Sequence, residues 1–252
     1  MTLVLNEIHI INGLENTFMI AAADRGITYT DGKKKSWRKI FEIPYLHGAI
    51  SYFGLAEFSP LGKNGLVSFT TWLPNFINKN TKVENLQTFA YNLRKELNNF
   101  VPTSFLRKYH SGFHICGYDI RGYPEFWSLT NIKKFSDFTY SDLQECYQDP
   151  ANDFQGRDLI NLGWDGSDPL SAKNNIQFYR NGDIRAHGRV FENIDNIYSY
   201  LSQFPDFLKI DNHSHYKDYV TLKFEILAYI YRKMTKNQII RRPIDVILLE
   251  KP

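Results

Sequence analysis

The chain has 252 residues, 43% of them hydrophobic, 15% aromatic and 23% charged, enough for a sizeable core in one large or two small domains. A formal net charge of +3 gives no global case for nucleic acid, and Cys116 and Cys146 alone suggest neither a disulfide framework nor a metal cage. No uncharged apolar stretch approaches the length of a bilayer span, and no charged-then-apolar leader opens the chain, so a cytoplasmic protein without membrane attachment is expected.

Thr2–Ile10 and Thr17–Asp24 read as a strand pair across the Asn12-Gly13 turn. Lys39–Ile43 and His47–Tyr52 read as a second pair, bent at Pro44. The aromatic run Trp72–Phe76 suits helix packing. Thr81 with Glu84 three residues on forms a capping box, and Leu86, Phe89, Ala90, Leu93 and Leu97 then share one helical face. His114–Tyr118 and Phe126–Leu129 are expected as strands around an Asp119–Pro124 turn. Ile160–Gly163 reads as a buried strand before the Asp165-Gly166 turn. Ile176–Tyr179 and Ile184–Ala186 read as a hairpin around Asn181-Gly182. Val220, Phe224, Leu227, Tyr231 and Met234 share a face of a late helix, and Ile244–Leu249 is a last apolar strand. Strands, a helix, strands, a helix and a strand give an α+β order rather than alternating β-α-β units.

Met1 is followed by Thr2, a residue small enough for the starter Met to be trimmed. A freed Thr2 would carry an amine beside its own hydroxyl, the arrangement in which an N-terminal threonine supplies its own base. Asp24 ends the second strand, and Lys39, 15 residues later, precedes the apolar run that leads through small residues to Gly54. Each has an ordinary structural use: a turn cap, a solvated edge lysine, a tight bend.

In this order and spacing, residues 2–56 resemble the opening of proteasome β-type subunits and their HslV-like bacterial relatives. Gly112–Phe126, with its Gly-Tyr-Asp-x-x-Gly turn at Gly117–Gly122, resembles that family's central hairpin. The resemblance implies a single domain over residues 1–252, diverging at about 131–238, and a four-layer αββα sandwich. Matched residue by residue, it implies Thr2 as nucleophile, Asp24 and Lys39 as the acid and lysine that condition its amine, and Gly54, or Phe53 beside it, as the oxyanion donor.

The family's supporting Ser after a Gly falls near Leu162–Ser167, making Asp165 and Ser167 the candidates; the Asp and Ser it carries before the last strand are missing from Lys236–Pro243. The implied activity is threonine-type peptidase action on polypeptide substrates within a homo-oligomeric ring, without a cofactor, with an ATP-dependent unfoldase as a possible partner. The alternatives are an inactive structural subunit of the same fold and an N-terminal-nucleophile amidohydrolase acting on a small amide.

Lys33-Lys34-Lys35 reads as a solvated loop. His213 and His215 lack a third ligand in sequence, and Asp165-Gly166-Ser167-Asp168 does not match a calcium loop.

Overall fold

A computed structural model describes residues 3–29, 32–60, 65–136, 139–182, 184–207, 209–236 and 238–252. The order begins with β1 (Leu3–Asn12), β2 (Asn16–Asp24), β3 (Gly26–Thr28), β4 (Lys34–Ser36), β5 (Ile40–Ile43) and β6 (Gly48–Gly54). Short β7 (Glu57–Phe58) and β8 (Val67–Ser68) precede α1 (Phe69–Lys79), α2 (Leu86–Phe100) and α3 (Thr103–Leu106). Then come β9 (Ser111–Tyr118), β10 (Pro124–Thr130), β11 (Ile132–Ser136), β12 (Thr139–Leu143), β13 (Ala151–Asn152), the one-turn α4 (Leu159–Asn161) and β14 (Asn175–Gly182). Helices α5 (Ile184–Leu201) and α6 (His213–Met234) and strand β15 (Ile244–Glu250) complete the order.

The result is a mixed fold of helices and antiparallel sheets. One sheet runs β14-β1-β2-β15 and the other β13-β10-β9-β6-β5. In β1, Val4, Ile8 and Ile10 face one cluster while Leu3 and Leu5 face another; in β2, Met19, Ala21 and Ala23 alternate in the same way with Phe18, Ile20 and Ala22. That is the period-two rule of a pleated strand. Both faces are covered, so β2 reads as an almost continuous apolar run.

Three clusters fill the space. The inner faces of the two sheets share one, in which Val4 and Ala21 meet Ala49 and Phe126. Helices α1 and α2 cover the second sheet through Leu73, Phe76, Phe89 and Leu93. Helices α5 and α6 cover the first through Phe191, Phe224 and Leu227. Each large side chain buried in this way contributes roughly 1.5–3 kcal/mol.

The first strand pair, the second pair and the β9–β10 hairpin form where the patterning places them, with Val4 opposite Ala23, Phe41 opposite Ile50 and Phe126 opposite Cys116. Trp72 packs within the helical layer, stacked on Phe76 and Phe100.

Other expectations are corrected. The second helix starts at Asn85, whose Oδ1 accepts from Thr88 N at 2.8 Å, and not at Thr81. Ile160–Gly163 is no buried strand: Ile160 lies in α4 and is 57% exposed. Ile184 begins α5 rather than returning as a strand. Strand β14 pairs instead with β1, more than 160 positions earlier in the chain, with Leu3 opposite Gly182. Met234 is 80% exposed at the end of α6 and leaves the buried stripe that Val220, Phe224, Leu227 and Tyr231 form. Among the described residues no helix is long and apolar enough to cross a membrane.

Candidate active site

Antiparallel pairing of β1 with β2 carries the start of one strand to the end of the other. The backbone N–H of Leu3 donates to Asp24 Oδ1 at 2.9 Å. Lys39, the residue before β5, donates from Nζ to the same oxygen at 2.9 Å and to the carbonyl of Gly26 at 2.7 Å. The other carboxylate oxygen, Oδ2, accepts the amides of Gly26 at 2.8 Å and Arg241 at 3.2 Å. Both charged side chains are 0% exposed.

Such a pair is a conditional asset. Two charges withdrawn from water are tolerated only when each is compensated, and breaking the pair by removing one partner strands the other. Here Asp24 is held by backbone donors as well as by a cation, and Lys39 by a carbonyl as well as by an anion. Burial pulls the Lys39 ammonium below its ordinary value of 10.5, and the neighbouring Asp24 opposes that pull. The Tyr52 amide donates to the Lys39 carbonyl at 3.1 Å, fixing the lysine's backbone against β6.

Gly54 ends β6 with φ +80°, and a Cβ built there would lie 2.1 Å from the His110 carbonyl oxygen. Both facts demand glycine. The next residue, Leu55, donates its amide to that carbonyl at 2.9 Å. Burial lowers the His110 imidazole to about 4, so it is neutral near pH 7. Phe53 turns its ring inward, edge-on to His114 at 5.4 Å between centroids.

Met1 and Thr2 lie outside the described residues, so the position given to the nucleophile is fixed by sequence alone. Asp165 and Ser167 are not brought to the Asp24–Lys39 pair. Asp165 Oδ1 instead accepts the amides of Ser167 at 2.9 Å and Asp168 at 2.8 Å, tying up an exposed loop. That loop runs into Pro169, whose carbonyl accepts the Leu14 amide at the β1–β2 turn. Strand β1 is 10 residues long, so at about 3.3 Å per residue the loop stands roughly 30 Å from Leu3.

The other motifs have local uses. Lys35 lies over the rings of Tyr29 and Trp37. His213 pairs with Glu250 at 2.8 Å and His215 with Asp211 at 2.9 Å, each histidine on its own carboxylate.

A cavity of about 740 Å³ opens beside β14, with Phe53, His114, Phe126, Tyr179 and Asn181 in its wall. Burial takes His114 down to about 3, leaving a neutral ring. The network assigns its proton to Nδ1, which donates to Asn6 Oδ1 at 2.8 Å, while Nε2 accepts from Asn181 at 2.6 Å. Asn6 in turn donates to Cys116 Sγ at 3.2 Å, and burial pushes that thiol up to about 12. A thiol so protonated is no nucleophile.

Sequence reasoning overlooked the partners that act through the backbone. The Gly26 carbonyl, which accepts from Lys39, and the amides of Leu3 and Arg241, which donate to Asp24, have no side-chain signature, and only the folded chain brings them to the pair.

No family model matches this chain. No curated protein matches it either. Among solved structures it is similar to the Gly-1 mutant of Anbu from Hyphomicrobium sp. strain MC1, at 12% identity and a TM-score of 0.47, over 99% of this chain and 82% of that one. A likeness this distant leaves the site to be judged by its own residues.

Proposed function

We propose that this chain is a threonine-type peptidase of the proteasome β/HslV-like kind, a four-layer αββα sandwich with its nucleophile at the N-terminus. The observation that carries the reading is the buried cluster at the head of β1, where Leu3 N–H, Asp24 and Lys39 meet within hydrogen-bond distance. The residue bonded to Leu3 nitrogen is Thr2.

In this reading the Thr2 hydroxyl attacks a peptide carbonyl, and the freed α-amine takes the hydroxyl proton, directly or through water. That amine then returns the proton to the leaving amide nitrogen, and water hydrolyses the resulting ester. Lys39 lowers the basicity of the amine by like-charge repulsion and so keeps it unprotonated, and Asp24 fixes Lys39. The backbone amide at Gly54, or at Phe53, receives the oxyanion. Polypeptide substrates, a homo-oligomeric ring and an unfoldase partner are the assembly that goes with this chemistry.

Intact mass and N-terminal sequencing of the purified protein, together with labelling by an epoxyketone probe, test the reading. A mature Thr2 terminus and a covalent adduct on it are expected, and Thr2→Ala abolishes the adduct while the protein still folds. A retained Met1 with no adduct refutes the peptidase. The placement of Asp165 and Ser167 far from the pair favours one second reading, an inactive scaffold of the same fold, and that outcome would select it.

A further inference from the structure

We propose that Arg241 is a positioning residue for the Asp24–Lys39 pair, clamping from the far end of the chain the hairpin that joins the two. The inference rests on the peptidase reading for its catalytic consequence and on geometry alone for the clamp.

Asp24 and Lys39 are connected by the β3–β4 hairpin, in which Ile27 and Lys35 are cross-strand partners. Arg241 Nη2 donates to the carbonyls of both, at 2.7 Å to Ile27 and 3.1 Å to Lys35. One guanidinium nitrogen therefore bridges the two strands at matched register. From the same residue the backbone N–H reaches Asp24 Oδ2 at 3.2 Å. Arg241 thus holds the acid with its main chain and the acid-to-lysine connection with its side chain.

Gly26 makes room for this. A Cβ there would stand 2.8 Å from Asp24 Oδ2 and 3.1 Å from Arg241 Nε, so a larger residue would displace either the carboxylate or the guanidinium. Arg241 Nε is itself buried without a hydrogen-bond partner among the described residues. A group buried at that cost is retained where its remaining bonds hold it.

The clamp also carries charge. Among the described residues, the ionisable groups acting on Lys39 include Asp24, Arg241 and Asp245, the last paired with Arg25 at 2.6 Å. Asp24 and Asp245 favour the Lys39 cation, while Arg241 opposes it and adds to the effect of burial. Removing the guanidinium should let the Lys39 ammonium hold its proton to higher pH. A residue that only filled space would not move that titration.

The experiment tracks the Nζ signal of Lys39 by NMR in full-length, ¹⁵N-lysine-labelled protein, together with the rate of epoxyketone labelling. Arg241→Gln and Arg241→Lys are compared with the parent. In Arg241→Gln the Lys39 titration moves to higher pH and labelling slows by tenfold or more. In Arg241→Lys the titration returns toward the parent value, because the charge is restored. Labelling recovers only in part, since an ammonium lacks the planar fork of a guanidinium.

An unmoved Lys39 titration in a folded Arg241→Gln protein overturns the inference, as does labelling at the parent rate. If Arg241→Gln does not fold, Arg241→Lys decides: parent-like labelling refutes the clamp and slowed labelling supports it. If the parent itself does not label, the peptidase reading fails, and the NMR titration still decides the role of Arg241.

Discussion

Replacing Lys39 by Met keeps most of the side-chain volume and removes the charge, so it isolates the ion pair at the head of β1. Asp24 and Lys39 are both 0% exposed, so bulk solvent does not reach the carboxylate to take over from the lost ammonium. Stranding one member of a buried pair costs about 3–5 kcal/mol. The Gly26 carbonyl also loses its 2.7 Å donor. Against this, Asp24 keeps the amides of Leu3, Gly26 and Arg241. Those bonds place the expected loss at the lower end, about 3 kcal/mol. For a chain of this size each kcal/mol moves the midpoint by about 2–4 °C, giving a fall of roughly 6–12 °C.

The sign with pH is also fixed. Because burial holds Lys39 below 10.5, the folded state binds fewer protons than the unfolded state between the folded value and 10.5. That contribution to stability is fully present above 10.5 and lost as pH falls through the folded value; Lys39→Met removes it. The assay is thermal and urea unfolding of parent and variant across that range, with epoxyketone labelling alongside. Adding Asp24→Leu should not rescue stability, because the amides of Leu3, Gly26 and Arg241 would lose their acceptor. A Lys39→Met protein that melts within about 1 °C of the parent and labels at the parent rate would refute the reasoning, since ordinary surface substitutions fall within about ±0.5 kcal/mol.

Gly54→Ala forces a Cβ to 2.1 Å from the His110 carbonyl at φ +80°, so a loss of about 1–3 kcal/mol in urea unfolding is expected, with slowed labelling. His114 is held neutral, with its value reduced to about 3 from 6.5. Its contribution is complete above pH 6.5 and disappears as pH falls through about 3, so acid unfolding should be shallower in His114→Gln; unchanged acid steepness would remove that role.

Much of the scaffold was legible because local pattern and tertiary burial agree. The apolar runs of β1 and β2 and the turn between β9 and β10 mark their strands, and the Leu86–Leu97 stripe states which face of its helix goes inward. Where they disagreed, the sequence misled. Leu159-Ile160-Asn161-Leu162 is a short apolar run, and such runs do not distinguish a strand from one helical turn. Gly182 does turn the chain, with φ +103°, but the segment after it is helix because β14 finds its partner in β1 rather than next door.

By itself, the sequence determined that a threonine follows Met1, that an acid and a lysine stand 15 residues apart, and that the strands around them are apolar. Residue type and spacing are local properties, and they are written in the chain. Only the tertiary structure decided that Asp24 and Lys39 meet out of reach of bulk solvent, that Asp165 and Ser167 do not join them, and that Arg241 does. Burial and backbone hydrogen bonds across more than 200 positions arise from closing the sheet, and no side-chain pattern encodes an amide.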